Sequence, residues 1–220
     1  MADGRLVLGT RRYSSWSMRG WLAVRLAGLD VTEVVVAPSP EGRVLSDPTV
    51  SPSGLVPFLE HRGARVWDSL AIVEYCAELA PSLWPADRIA RAHARAIAAE
   101  MHGGLRGLRL AMPMNLGGAF AGRGRTPEAL ADIARVEAIW ADTRARFGGD
   151  GPYLFGTAFG AADAMYAPVV ARFLTWAPEI SAASRAYVDA VRAHSLVDAW
   201  YRAAMAEPPE WRIARFEVPA

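Results

Sequence analysis

The chain has no lysine, no glutamine and a single cysteine, Cys76, among its 220 residues. Without lysine there is no Schiff-base amine, and no Gly-Lys pair for a Walker-type phosphate loop. One cysteine excludes an intrachain disulfide, a structural thiolate zinc site and a CxxC redox pair. Charge of one sign is lacking too: 24 arginines oppose 23 acids, for a formal net charge of +1. No chain-wide cationic field therefore draws in nucleic acid or an anionic membrane. No apolar run approaches the roughly 18 residues of a membrane span. The most apolar part of the second half, Ala161 to Trp176, is interrupted by Asp163 and Arg172. No apolar leader with a cleavage site follows Met1, and with a free thiol this makes a cytoplasmic location the expectation.

What is present suits a packed protein. Hydrophobic residues make up 52% and charged residues 21%, a balance far from that of disordered chains. The length allows one large domain or two modest ones, and the pattern changes near the middle. Arg5 to Gly9 reads as a buried strand. Ser17 is placed to cap a helix that carries Trp21, Leu22, Val24 and Leu26 and stops at Gly28. Val31 to Val36 is β-branched and reads as a strand. Pro38, Pro40, Pro48 and Pro52 then forbid a long regular element. Val56 to His61 and Ala64 to Trp67 read as strands joined by a turn at Arg62-Gly63. Asp68 or Ser69 caps a helix bearing Leu70, Ile72, Val73 and Cys76. After a proline-containing linker at Pro81 to Asp87, every pattern is helical. One helix is expected from Asp87 to Met112, and one after the Thr126-Pro127-Glu128 start. Others are expected over about Ala161 to Trp176, Ser184 to Ala193 and Ser195 to Met205. The predicted architecture is a small α/β half followed by an all-helical half.

Three segments carry candidate chemistry. Tyr13-Ser14-Ser15-Trp16-Ser17-Met18-Arg19 places hydroxyls at a helix N-terminus, where unpaired N–H groups and the helix dipole favour an anion. Leu55-Val56-Pro57-Phe58 puts proline at the start of a strand. A cis bond there would offer the Val56 backbone to an extended peptide-like ligand. Trp67-Asp68-Ser69-Leu70 opens a helix with an acid and a hydroxyl, suited to an amine and a carboxylate. Taken singly, the serine and acid segments are ordinary helix caps and the proline an ordinary edge-strand residue.

In this order and spacing the three segments resemble the thioredoxin-like glutathione site of cytosolic glutathione S-transferases, over nearly the whole chain. Ser14-Ser15-Trp16-Ser17-Met18-Arg19 resembles the Ser-Ser-Cys-Ser-x-Arg motif of the zeta (maleylacetoacetate isomerase-like) class. Ser53 to Leu59 is similar to the turn before that family's cis-proline, and Asp68 to Tyr75 to its Ser-Leu-Ala-Ile-x-Glu-Tyr helix start. Phe159-Gly160-Ala161-Ala162-Asp163 is similar to its N-capping motif in the second half. Three departures stand out. Trp16 replaces the motif's cysteine, Leu55 stands where zeta members often have glutamine, and Gly160 replaces the usual Ser or Thr cap. A glycine cap costs only about a few tenths of a kcal/mol.

The resemblance implies a thioredoxin-like glutathione-binding domain over residues 1–81 and an all-helical domain with the electrophile pocket over 88–220. It implies glutathione as cosubstrate, no covalently bound cofactor, no metal, and a homodimer. Val56 and Pro57, with Leu55, would hold the cysteinyl backbone, and Asp68 and Ser69 the γ-glutamyl end. Ser14 is assigned the hydrogen bond to the thiolate, with Ser15 in second place and Tyr13 as a rival donor. Tyr13, Trp16, His102 and Arg106 are assigned to the electrophile pocket. His102 either orients a carbonyl or carboxylated substrate or lies at a surface or dimer interface. For an α-keto acid substrate the candidate cations are Arg11, Arg12, Arg19, Arg106 and Arg109. A free thiol with pKa near 8.5 is only about a few per cent thiolate at pH 7. Lowering it by about two units takes roughly 2.7 kcal/mol, within reach of a hydroxyl donor aided by the helix dipole. Three functions follow: conjugation of glutathione to small electrophiles, cis–trans isomerisation of a maleylacetoacetate-type diacid, or non-catalytic glutathione binding in an interaction protein.

Overall fold

β1 (Gly4–Leu8) shows how the sheet is organised. Leu6, Val7 and Leu8 are all fully buried, as a central strand covered on both faces requires. β1 pairs in parallel with β2 (Thr32–Val35), Val7 opposite Val34, and antiparallel with β3 (Phe58–His61), Leu6 opposite Leu59. β4 (Ala64–Val66) follows the turn at Arg62-Gly63 and completes the order β2-β1-β3-β4. A parallel pair needs a crossover, and α1 (Ser15–Leu26) supplies it, with α2 (Ser69–Leu79) packed beside it. The computed structural model describes residues 2–38 and 50–217; Pro40 and Pro48 of the expected irregular stretch lie outside them.

Beyond β4 the described residues form no further strand, only an isolated bridge between Tyr153 and Gly156. A 3₁₀ turn at Pro81–Leu83 leads into α3 (Arg88–Gly103), α4 (Arg106–Ala111), α5 (Pro127–Phe147), α6 (Ala161–Trp176), α7 (Ala182–Ala193) and α8 (Ser195–Met205). A second 3₁₀ turn, Pro209–Trp211, precedes the short α9 (Ala214–Glu217), which no pattern in the sequence announced.

Two expectations need correction. Ser14, not Ser17, caps α1: its Oγ accepts from the Ser17 N–H at 3.2 Å, while Ser17 is buried in the first turn. The helix expected from Asp87 to Met112 is two helices. Gly103-Gly104 carries the poorest helix propensity of ordinary residues, Gly104 is extended, and Leu105 is left-handed at φ 56°. The break turns Leu105 and Leu108 into the core. Asp132 of α5 accepts from the Leu108 N–H at 2.9 Å and so serves the new helix start.

α6 is the axis of the helical half. Every residue but Leu174 is buried, Asp163 and Arg172 included, and it packs on α1, α3 and α7. Asp163 accepts from the Gly160 N–H at 3.0 Å, the Leu154 N–H at 3.1 Å and the Tyr187 hydroxyl at 3.0 Å. The glycine cap has a steric reason: a Cβ on Gly160 would lie 3.0 Å from the Leu83 carbonyl oxygen. Around α6, the Trp140 ring meets those of Tyr166, Phe173 and Tyr187. Trp200 of α8 meets Trp21 of α1 at 5.4 Å. The two halves therefore share one apolar core.

Candidate functional site

Two close approaches bring the β1–α1 turn to the start of β3. A Cβ on Gly9 would lie 3.0 Å from Val56 Cγ2, and one on Gly20 would lie 2.9 Å from Pro57 Cγ. A side chain at either position would crowd the Val56-Pro57 segment, on which the turn and α1 rest directly. The Val56-Pro57 peptide is cis, as is Trp67-Asp68. Ser51 Oγ donates to the Leu55 carbonyl at 2.6 Å and holds the loop ahead of the proline. Asp68 caps α2, its Oδ1 accepting from the Leu70 N–H at 2.8 Å and the Ala71 N–H at 3.4 Å.

These elements surround a cleft of about 370 Å³ whose walls include Ser14, Trp16, Leu55, Val56, Pro57, Asp68 and Ser69, with Ser53 and Trp67. Trp67, beside Asp68 in the third segment, is a wall residue to which the motifs assign no role. Ser69 Oγ is buried and has no hydrogen-bond partner among the described residues. Burying a hydroxyl unpaired is costly, and its proton is free to donate. Ser14 Oγ donates to Ser17 Oγ at 2.9 Å. Ser17 Oγ in turn accepts from the Gly9 N–H at 2.9 Å. The acceptor role of Ser14 as a cap and its donor proton are separable, so rotating that proton toward the cleft leaves the cap in place.

Other expected residues point elsewhere. Ser15 is buried, and Arg172 donates to its Oγ at 3.5 Å. The Tyr13 hydroxyl donates to Glu217 at 2.6 Å and accepts from the Ile213 N–H at 3.2 Å. Burial and Glu217 push its pKa up to about 12. Tyr13 lines a second cavity of about 220 Å³ that shares Ser14 and Val56 with the cleft and is walled by Ile213, Arg215 and Phe216. Glu217 is a residue that sequence reasoning missed. It also accepts from Arg12 at 3.2 Å and Asn115 at 3.0 Å, clasping the C-terminal turn over the β1–α1 loop. Arg106 is exposed and lines a separate hollow with Leu110 and Glu128, so the structure does not bring it to the cleft. His102 lies between Asp68 and Arg19, with Nε2 2.9 Å from Asp68 Oδ2 and Nδ1 3.3 Å from Arg19 Nη1.

Of the candidate cations, Arg11 is tied to Glu33 and Arg12 to Glu217. Arg19 and Arg109 lie over the Trp16 ring, 5.2 and 5.0 Å from its centroid. Arg19 and Arg172 are buried, and each has an Nε without a partner among the described residues. Burial, then the neighbouring Arg109 and Arg172, hold Arg19 well below the usual guanidinium range, with Asp68 opposing. Burial and Arg109 bring Arg172 down to about 9. In the sequence Arg172 stands out only as an interruption of an apolar helix. Cys76 is buried and its thiol pushed up to about 12 by burial alone, so it is unreactive at neutral pH. Among the described residues no group of three or more His, Cys, Asp or Glu is placed to hold a metal, and no helix is long and apolar enough to cross a membrane.

The family model for the N-terminal domain of glutathione S-transferase matches residues 13–79, spanning the serine turn, the Val56-Pro57 segment and the Asp68 cap. The model for the family's C-terminal domain matches residues 121–203. The chain belongs to the glutathione S-transferase family. Its fold is that of the family, a mixed four-stranded sheet with helices followed by an all-helical part. Among solved structures it is similar to a glutathione transferase homologue from Burkholderia with bound glutathione, at 21% identity and TM-score 0.68 over 93% of this chain and 99% of that one. It is similar to a bacterial maleyl pyruvate isomerase described as a zeta-class glutathione S-transferase, at 22% identity and TM-score 0.69 over 93% and 99% of the two chains. A theta-class transferase from Xanthomonas axonopodis pv. citri, with glutathione bound, matches at 21% identity and TM-score 0.66 over 94% and 99%. At these identities the likeness is one of fold, and it spans several transferase classes. No curated protein sequence matches the chain.

Proposed function

We propose that the protein is a glutathione transferase that binds glutathione in the 370 Å³ cleft and activates its thiol with Ser14. The observation that carries this reading is Ser69 Oγ, buried and unpartnered beside the half-exposed carboxylate of Asp68. The γ-glutamyl group offers both charges this pair needs: its carboxylate accepts from Ser69 and its ammonium meets Asp68. The cysteinyl backbone then runs along Val56, which leaves the sulfur toward Ser14 at the N-terminus of α1. Hydrogen bonding to the charged form and the helix dipole both favour the thiolate. Residues 1–81 act as the glutathione-binding half. The smaller cavity beyond Ser14 receives the electrophile, and residues 88–220 close one side of it through Ile213, Arg215 and Phe216. Exposed Leu79, Ile89, Leu110 and Leu130 favour a homodimer, which light scattering at micromolar concentration checks.

Calorimetric titration with glutathione tests the cleft. The wild-type protein binds, and Ser69→Ala weakens binding by about 10–100-fold, the cost of about 1.5–3 kcal/mol for a hydrogen bond to a charged group. Equal binding by the two proteins would sink the assignment. Turnover with an activated aryl halide separates a transferase from a glutathione-binding protein without catalysis.

A second reading is isomerisation of a maleylacetoacetate-type diacid. It is favoured by two buried arginines, Arg19 over the Trp16 ring and Arg172 beside Ser15, whose Nε atoms have no partner among the described residues. Guanidinium groups suit carboxylates, and a substrate acid would meet the need that no carboxylate among the described residues meets at Arg172. Turnover of maleylacetone above that of the aryl halide would select this reading.

A further inference from the structure

His102 sits at the end of α3, yet its ring is held by the two N-terminal helices. Nε2 is 2.9 Å from Asp68 Oδ2 at the start of α2, and Nδ1 is 3.3 Å from Arg19 Nη1 on α1. A guanidinium can only donate, so Nδ1 accepts and the ring proton resides on Nε2, which donates to Asp68. The imidazole is therefore neutral, a bridge of fixed polarity from a buried cation to a carboxylate. We propose that His102 is a positioning residue for the amino end of glutathione, aligning the Asp68 carboxylate and linking it to the buried guanidinium of Arg19. The proposal rests on the assignment of the cleft to glutathione.

The geometry explains what the bridge does. Backbone N–H groups of Leu70 and Ala71 occupy Oδ1 of Asp68, which anchors one oxygen as a helix cap. The donor from His102 anchors the other, so the carboxylate cannot turn about its last bond. The remaining lone pairs are fixed toward the cleft, where the ligand's ammonium arrives. Routing the link to Arg19 through a neutral ring keeps that cation from facing the ammonium directly. The charged groups facing the ring are Asp68 from α2, Arg19 from α1 and Arg109, which donates to the His102 carbonyl at 3.0 Å. A proton added at Nδ1 would destroy the acceptor and set two cations against each other. Burial together with Arg19 and Arg109 holds His102 below the usual imidazole range, against the pull of Asp68. The link to Arg19 is therefore intact at neutral pH and lost in acid, while the Nε2–H donor to Asp68 remains.

The test measures glutathione binding by calorimetry, and KM and kcat with an activated aryl halide, over about pH 5 to 8. His102→Ala is expected to weaken glutathione about tenfold, raise its KM by the same factor and leave kcat at saturating glutathione within about twofold. His102→Gln retains a donor and an acceptor without a titrating proton. It should recover most of the affinity and flatten the acid decline expected of the wild type. Unchanged affinity in His102→Ala overturns the proposal, as does a loss that falls on the KM of the aryl halide instead. Should His102→Ala not fold, the glutamine variant decides: an acid decline like that of the wild type overturns the bridge. A wild-type protein that binds no glutathione overturns the reading of the cleft and this inference with it. Wild-type binding with an indifferent His102→Ala overturns the inference alone.

Discussion

Asp163 and Arg172 lie on the same helix, and both are buried, at 1% and 5% exposure, yet the fold treats them oppositely. The acid receives three donors from three parts of the chain: the Gly160 and Leu154 N–H groups and the Tyr187 hydroxyl. The guanidinium has the Pro168 carbonyl at 3.0 Å and Ser15 Oγ at 3.5 Å, and among the described residues its Nε has no partner and no carboxylate pairs with it. Burying a charge is expensive unless it is paired and hydrogen-bonded. The acid is satisfied from within the fold, whereas the guanidinium is left short of partners among the described residues.

The comparison can be broken most directly at Asp163. Asp163→Ala strands three buried donors, and the expected loss is about 3–5 kcal/mol of stability, read as a fall in the urea midpoint. A loss under about 1 kcal/mol would show that the hub is ornamental. The pH dependence sharpens the point. Burial pushes the Asp163 carboxyl up from 3.8 to about 6, against the donors from Gly160, Leu154 and Tyr187. Its folded-state pKa is thus raised, so its contribution to stability is complete below 3.8 and is lost as pH rises through about 6. The urea midpoint of wild type relative to Asp163→Asn should therefore fall between about pH 4 and pH 6 and level off above that.

Ser14→Ala comes next. Losing a hydrogen bond to the thiolate costs about 1.5–3 kcal/mol, so turnover should fall about 10–100-fold, while glutathione affinity is largely kept. The pH–rate profile should move alkaline by about one to two units as glutathione ionises unaided. An unmoved profile, with activity lost instead in Ser15→Ala, would transfer the role to the neighbour.

Arg172→Met tests the other side of the comparison. A guanidinium without a carboxylate gains little from its burial, so an apolar chain of similar length should leave stability unchanged or raise it by about 1 kcal/mol or more. Turnover of maleylacetone should fall while that of the aryl halide persists. A drop in stability of about 2 kcal/mol or more would make Arg172 as structural as Asp163. The smallest effect is expected from Tyr13→Phe. Its hydroxyl is already spent on Glu217 and Ile213, so the pH–rate profile should not move, although the C-terminal turn loosens.

Much of this was legible before any coordinates. The apolar run of β1, the β-branched β2 and the Thr126-Pro127 helix start are local signals, decided by neighbours within a few residues. The segments around Ser14, Val56-Pro57 and Asp68-Ser69 were likewise readable, because caps and turns announce themselves by residue type and spacing. Less legible was the direction in which each side chain points. Ser14 and Ser15 are adjacent and chemically alike, and a helical step of about 100° sends one to the cleft and the other to Arg172. The break at Gly103-Gly104 was misjudged because glycine lowers helix propensity without forbidding a helix, and burial of Leu105 and Leu108 tipped the balance.

Local pattern therefore accounts for the strands, most helix boundaries and the identity of the cleft's walls, since those depend on periodicity and capping over short spans. Tertiary packing alone decided the links across the chain: His102 to Asp68, Tyr13 to Glu217 and Arg172 to Ser15. Each joins residues 34 or more positions apart. Side-chain types advertise what a group is able to bond, but which partner it meets depends on how helices distant in sequence come to pack side by side.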